Sequence, residues 1–340
     1  MTDNWMIYGA NGYTGELVAR LAVARGERPV LAGRSAEPVA RLARELGLDH
    51  VAFDLADAAA HLGAVAVVAH CAGPFHATAA PMVDACLATG THYLDITGEI
   101  AVFEALHARR AEAAAAGVAL LPGAGFDVVP TDCLAAMLHA RLPGATSLEL
   151  AFVAGGGFSR GTARTALSGG GVMWRRVEGR LVPVTGGAVT RSVPLPSGAR
   201  TVSAIPWGDL ATAYRSTGIP NITTYTALPA AAGVGPALLK LPWARSVADR
   251  LVRTTMTGPS AATRARTRTE VWGEVRDPDG RTATDTLVTP NAYDLTADAV
   301  LRAVPRMAGL APGFHTPSTA FGAGFVLELD GVTLGSAPTA

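Results

Sequence analysis

Trp5-Met6-Ile7-Tyr8-Gly9-Ala10-Asn11-Gly12-Tyr13-Thr14-Gly15 stands close to the start of the chain. Trp5 to Tyr8 is an unbroken apolar run, as expected of a parallel strand buried on both faces. Gly9, Gly12 and Gly15 follow. From Glu16 to Arg25 the apolar residues Leu17, Val18, Leu21 and Val23 recur at helical spacing. A strand, a tight glycine turn and a helix leave backbone N–H groups and the positive end of a helix dipole facing outward. That arrangement suits a pyrophosphate. The spacing is G-x-x-G-x-x-G, a variant of G-x-G-x-x-G common in NADP-using folds. A glycine triplet alone is weak; its place between a first strand and an amphipathic helix gives it weight. Gly9, Asn11, Gly12, Tyr13, Thr14 and Gly15 are the expected phosphate contacts.

The next apolar run, Arg28 to Ala32, ends in Gly33-Arg34-Ser35, and Arg34 lies 19 positions past Gly15. NAD-preferring sites place an acid about 20 residues on, to bind the ribose 2′-OH. A guanidinium there suits a 2′-phosphate instead, through bidentate, charge-assisted hydrogen bonds. Gly33 and the Ser35 hydroxyl complete this side of the cofactor, which the sequence reads as NADPH. The alternative is that Arg34 is a solvated loop residue.

At 340 residues the chain holds two ordinary domains, or one with a large insertion. Twenty-eight basic residues balance 28 acidic ones, so charge points to neither nucleic acid nor an anionic membrane. Cys71, Cys86 and Cys133 are odd in number and far apart, which fits neither a disulfide framework nor a C-x-x-C pair. No H-E-x-x-H occurs among the eight histidines, and no metal is implied. Met-Thr-Asp-Asn runs straight into a strand without a basic-then-apolar leader, which predicts a cytoplasmic protein. Ile219 to Trp243 is the longest weakly polar stretch, but its prolines and glycines argue against a membrane-spanning helix. It reads as a buried layer over the site or as a surface for peripheral contact with lipid or a carrier-bound chain.

Strand and helix patterns alternate over the first 130 residues. Strands are expected at His50–Phe53, Val65–His70, His92–Ile96 and Val118–Leu121, with helices at Pro38–Leu46, Ala79–Thr89 and Ala101–Ala116. Such alternation predicts a Rossmann-type, doubly wound parallel sheet in an α/β protein. Ligands bind beyond the carboxyl ends of its strands. The loops carrying Asp54 and Leu55, Cys71 to Phe75, Thr97 to Glu99, and Gly125 to Asp127 are therefore site loops. From about Thr146 the pattern changes to alternating strands, at Ser147–Val153 and Arg268–Arg276, with turns at Ser197-Gly198 and Pro278-Asp279-Gly280. This predicts a second α+β domain with a mainly antiparallel sheet and helices near Thr162–Leu167 and Leu295–Met307. Thr316-Pro317 should open a last helix reaching about Leu329. The expected division is 1–130 with about 310–340 for the nucleotide domain, and 131–309 for a substrate and dimerisation domain.

Gly9–Gly15, Ala32–Ser35, Cys71–Phe75, Thr91–Glu99 and Gly125–Asp132 together resemble the saccharopine dehydrogenase-like oxidoreductases, closest to the bacterial trans-acting enoyl reductase branch. The resemblance is specific over about the first 135 residues and returns at Pro290–Ala303 and Thr316–Leu329. It implies an NADP-binding Rossmann domain and a substrate domain that often dimerises through its sheet. It also places the Phe126–Asp127 loop beside the nicotinamide.

Asp127 is the first candidate for proton transfer, given a pKa raised by burial. His76 is a second, as an imidazole suited to acid catalysis near neutral pH, or is an ordinary surface histidine. Tyr13 borders the cleft, or simply packs on the turn. Gly73 allows close backbone approach and Pro74 stiffens the loop of Cys71 and Ala72, with Cys71 read as a structural thiol more than a reactive one. Gly98 and Phe126 complete the cofactor set. Phe75 and Glu99 are substrate candidates, Glu99 with an alternative as a helix cap; Asp132 is expected to cap the helix Cys133–His139. Ser159, Arg160 and Thr162, after three glycines, form either an anion nest for a carboxylate or phosphopantetheine phosphate, or a domain connection.

The reading is an NADPH-dependent reductase of an enoyl-type polyketide or lipid intermediate, free or carrier-bound, acting as a homodimer. Alternatives are an imine or ketone reductase of a small amino-acid-like metabolite, and a non-catalytic NADPH-binding sensor or assembly partner.

Overall fold

β1 (Trp5–Tyr8) is buried at all four positions, because it runs down the middle of a sheet covered on both faces. In the computed structural model, which describes residues 4–155, 173–184, 189–227 and 258–335, the chain forms two units. The first comprises Met1–Val129 and Tyr293–Gly322. α1 (Tyr13–Ala24) leads from β1 to β2 (Val30–Gly33), and α2 (Ala36–Leu46) leads to β3 (His50–Ala52). α3 (Ala59–Leu62) precedes β4 (Val67–His70), α4 (Phe75–Thr89) precedes β5 (His92–Asp95), and α5 (Ile100–Ala108) and α6 (Arg110–Ala115) precede β6 (Ala119–Leu121). The sheet is parallel throughout, in the order Gly313–Phe314, β6, β5, β4, β1, β2, β3. The order turns back between β1 and β4, where a doubly wound sheet opens its ligand crevice. Met6, Tyr8, Val68, Met82, Val83, Tyr93 and Leu120 fill the core of one face.

The second unit comprises Pro130–Ala292 and Ala323–Ala340. α7 (Val129–Arg141) packs on its sheet, where a Cβ on Gly273 would stand 2.7 Å from Leu138. The strands are β7 (Ser147–Ala154), β8 (Trp174–Val177), β9 (Arg180–Pro183), β10 (Thr190–Leu195), β11 (Gly198–Ala204), β12 (Asn221–Thr226), β13 (Thr269–Arg276) and β14 (Thr282–Thr289). They run in the order β10-β11-β12-β7-β13-β14, with Thr333–Gly335 at the β14 edge; β8 pairs β12 and β9. Among the described strands of this second sheet, only β12 and β7 pair in parallel. Val193, Leu195, Val202, Tyr225 and Trp272 form a second core.

The structure departs from the sequence reading at several places: Tyr293–Gly322, not 310–340, falls in the first unit, and α4 begins at Phe75, not Ala79. The helix expected over Ala101–Ala116 breaks at Arg109, whose guanidinium turns to Asp84 at 2.6 Å and Glu112 at 2.7 Å. Thr316 caps the last helix as its hydroxyl and following proline predict, but that helix covers only Pro317–Phe321. It stops at Gly322, φ +85°, and a 3-10 turn follows over Ala323–Glu328. Asp132 is not a cap: α7 begins at Val129, and the buried Asp132 carboxylate accepts from Ser216 at 2.5 Å. Gly313–Phe314, too short to show a pattern, adds a seventh strand beside β6.

Candidate functional site

The turn after β1 closes on backbone packing that admits only glycine. Gly9 holds φ +85°, and a Cβ there would meet the Ala72 nitrogen at 2.8 Å. A Cβ on Gly15 would stand 2.3 Å from the Gly9 carbonyl oxygen. The Gly9 and Ala10 amides both donate to the Ala32 carbonyl, at 2.8 and 3.0 Å, so the turn is tied to the end of β2. A Cβ on Gly33 would meet Asn11 Oδ1 at 3.0 Å. Thus the turn packs against the ends of both neighbouring strands, as a dinucleotide cradle requires. Gly12 is the N-cap of α1 and has no side chain to cap it. Among the described residues no side chain is seen to bond the amides of Thr14 or Gly15, so these donors and the helix dipole suit a pyrophosphate. Tyr13 stands edge-on to Tyr293, with ring centroids 4.9 Å apart.

At the end of β2, Arg34 and Ser35 are both exposed. Ser35 is the N-cap of α2 but does not turn its hydroxyl onto the helix. Asp54 and Arg34 both lie near the Tyr8 phenol: burial raises its pKa most, Asp54 raises it further and Arg34 lowers it. Tyr8 donates to the Phe53 carbonyl at 3.1 Å, and Leu55 opens a 3-10 turn beyond Asp54. Arg41, on α2, shares a small crevice of about 90 Å³ with Asn11 and Pro38.

Beyond β4, Cys71 borders the turn. Burial and the nearby Asp95 push its thiol up to about 12, so it stays protonated. Gly73–Pro74 is a cis peptide. α4 then begins with a cap from another loop. Glu99 accepts from the amides of Phe75 at 2.8 Å and His76 at 2.9 Å, and its Oε2 also lies 2.8 Å from His76 Nδ1. Both carboxylate oxygens are therefore used, and the His76 ring is held by one nitrogen while its side chain remains half exposed. Below this loop the Thr78 hydroxyl donates to the Ala72 carbonyl at 2.7 Å and meets His70 Nε2 at 3.0 Å. His70 is wholly buried, which pulls its pKa down to about 3 and keeps the ring neutral.

Asp95, at the end of β5, is a fully buried hub. It accepts from the Tyr93 hydroxyl at 2.6 Å and from the Thr97 and Gly123 amides at 2.9 Å each. Burial nonetheless raises its carboxyl to about 6. Asp127 packs on Gly98, where a Cβ would stand 2.8 Å from its Oδ2. Desolvation pushes the Asp127 carboxyl up to about 7. The Phe126 amide donates to Thr296 Oγ1 at 2.9 Å.

The first unit thus gathers Gly9–Gly15, Gly33–Ser35, Asp54 and Leu55, Cys71–His76, Gly98 and Glu99, and Phe126 and Asp127 at the carboxyl ends of its strands. Ser159, Arg160 and Thr162, with much of the apolar 219–243 segment, lie outside the described residues. Tyr293, Thr296 and Arg41 join the site although sequence reasoning passed over them. Arg41 sits two helical turns past Arg34, a spacing that could have been read; Tyr293 and Thr296 come from far along the chain and leave no local signal. Among the described residues no helix is long and apolar enough to cross a membrane, and no cluster of His, Cys, Asp and Glu is placed to hold a metal ion.

Comparison with known proteins agrees with this geometry. Residues 5–121 match the saccharopine dehydrogenase NADP binding domain. The trans-acting enoyl reductase of Mycobacterium leprae is 35% identical over 148 residues, which is 40% of this chain and 35% of that protein. The trans-acting enoyl reductase of Mycobacterium tuberculosis is 32% identical over 147 residues, 40% of this chain and 35% of that protein. The matched stretch therefore spans about a third of the length of these relatives. Saccharopine dehydrogenase (L-Glu forming) from Saccharomyces cerevisiae superimposes with a TM-score of 0.64 at 13% identity, covering 98% of this chain and all of that one. Residues 5–121 of this chain are thus similar to a saccharopine dehydrogenase NADP binding domain, and the chain shares the fold of saccharopine dehydrogenase.

Proposed function

We propose that the protein is an NADPH-dependent reductase whose substrate is an enoyl-type thioester of polyketide or lipid biosynthesis. The observation that carries the cofactor half is the contrast among three helix N-termini. The first amides of α4 are closed by Glu99, whereas the cap residues of α1 and α2 leave theirs to a ligand, with Arg34 exposed beside α2. The α1 terminus would hold the pyrophosphate, and Arg34 with Ser35 the 2′-phosphate. Bound NADPH supplies a hydride to an electron-poor carbon.

The chain's own groups then orient the substrate, exclude water and deliver a proton. Glu99 holds His76 Nδ1, so the ring presents Nε2 outward as a proton donor when protonated. Asp127, whose carboxyl titrates near neutral pH, is the second group able to give one. The substrate class rests on the likeness to enoyl reductases over part of their length.

Binding of NADPH and NADH to the protein and to Arg34→Ala tests the cofactor assignment. A charge-assisted hydrogen bond to phosphate is worth about 1.5–3 kcal/mol, so the variant should lose about 10- to 100-fold in NADPH affinity and little for NADH. Equal binding of both nucleotides by the unaltered protein would overturn it. NADPH binding without turnover of any enoyl thioester would overturn the substrate class while leaving the cofactor site intact.

A further inference from the structure

We propose that the second unit carries a separate site for a phosphate group, in a cavity of about 240 Å³ on the face of its sheet. Ser147 and Glu149 on β7, Arg175 on β8, Arg191 on β10, and Glu274 and Arg276 on β13 line it. Arg176 also borders it, but its guanidinium is bound to the Leu210 and Gly179 carbonyls; the guanidinium groups of Arg175, Arg191 and Arg276 stand against two carboxylates, which leaves positive charge in excess.

The two glutamates are already engaged. Arg191 lies over the Trp272 ring, 4.6 Å from its centroid, and forms ion pairs with Glu149 and, at 3.0 Å, with Glu274. Glu149 also accepts from the Tyr225 hydroxyl at 2.7 Å. A guanidinium clamped on an indole face between two carboxylates is fixed in place, so these acids act as its support. Arg175 makes no ion pair among the described residues, and Arg276 has only a 3.2 Å contact with Glu274 and a half-exposed side chain. Two guanidinium forks on strands on either side of β7 and β12, with the Ser147 hydroxyl between them, therefore remain to take a ligand. Their planar donors match the oxygens of a phosphate group.

The ligand chemistry fits two sources: the phosphate ester in the pantetheine arm of an acyl thioester, or free inorganic phosphate. We assign the arm, a step that rests on the thioester reading above; the anion site itself does not.

Calorimetric titration of the full chain with phosphopantetheine, pantetheine and inorganic phosphate separates these sources. Phosphopantetheine should bind, pantetheine should not, and inorganic phosphate should compete. Arg175→Ala combined with Arg276→Ala should weaken phosphopantetheine by about tenfold or more. Arg276→Ala alone, at an exposed position, should show part of that loss, and Arg200→Ala, an exposed arginine on β11, none. Equal affinity for phosphopantetheine and inorganic phosphate would keep the anion site and refute the arm. No binding of either, or affinity unchanged in the double variant, would overturn the site. NADPH titrated separately reports on the first unit, so a failed reductase reading would not be mistaken for a failed phosphate site.

Discussion

Glu99→Ala removes three contacts at once: two amide hydrogen bonds at 2.8 and 2.9 Å and the 2.8 Å contact to the His76 ring. The carboxylate is only 11% exposed, so water replaces it poorly. A hydrogen bond to a charged group contributes about 1.5–3 kcal/mol, and a carboxylate at a helix N-terminus about 0.3–1 kcal/mol more. These terms are not additive, because one side chain makes all three contacts. The expected loss is about 2–4 kcal/mol for Glu99→Ala. For Glu99→Gln it is about 1–2 kcal/mol, since one acceptor oxygen is kept but its charge is gone. Urea denaturation measures the loss. Hydrogen exchange at Phe75 and His76 locates it, because the amides that Glu99 covers should exchange faster in the alanine variant. A loss below about 0.5 kcal/mol, with those two amides exchanging at the original rate, would refute the cap and with it the orientation of His76.

Further consequences follow from the buried acids and the glycines. The Asp95 carboxyl sits at about 6 when folded against 3.8 when exposed, so between those values the folded protein keeps a proton that the unfolded chain has lost. Stability should fall by about 3 kcal/mol as pH rises from about 4 to 6 and stay level above that; Asp95→Asn should flatten the slope in urea denaturation across pH. If Asp127 supplies the proton, turnover should decline as pH rises past about 7, and in Asp127→Asn the pH–rate profile should lose that limb along with most of the rate. Gly98→Ala drives a methyl against Asp127 Oδ2 and should cost about 1–3 kcal/mol of stability, with turnover falling more than NADPH affinity; unchanged kinetics would show that Asp127 has no part in the reaction. Gly9→Ala, which combines a positive φ with a 2.8 Å clash on Ala72, should abolish NADPH binding in a fluorescence titration.

Where an element is formed by residues close together in the chain, the sequence could be read directly. Trp5 to Gly15 shows strand, turn and helix because each is a local pattern, and Arg34 is found by counting from Gly15 to the next strand end. Contacts between loops left no such mark. Glu99 lies next to α5 and was open to reading as its cap or as a substrate ligand, yet its side chain reaches 23 and 24 positions back to close α4. Thr296 receives the Phe126 amide across a sequence separation of 170 residues. The break at Arg109 escaped the helical pattern because its cause, the pairing with Asp84, is tertiary. Likewise the cavity on the second sheet joins side chains from β7, β8, β10 and β13, whose alternation is visible in sequence but whose order is not.

The three acids at the ends of β5 and β6 start from similar intrinsic pKa values, and their surroundings divide the work among them. Asp95 is saturated by Tyr93, Thr97 and Gly123; it ties the loop after β5 to the loop after β6 and has no room for substrate chemistry. Glu99 sits at a helix terminus, where its two oxygens accept from the Phe75 and His76 amides, so it serves α4 and the His76 ring. At Asp127 burial is what lifts the carboxyl, to about 7. An acid that changes charge near neutral pH is suited to giving up a proton; one whose oxygens are taken by two amides and a ring is suited to holding a partner. The closed α4 terminus has a further effect. In the binding mode proposed above, phosphate groups of the cofactor would be turned away there and taken at the starts of α1 and α2, and the loops of His76 and Asp127 would face the reacting end of the cofactor and the substrate.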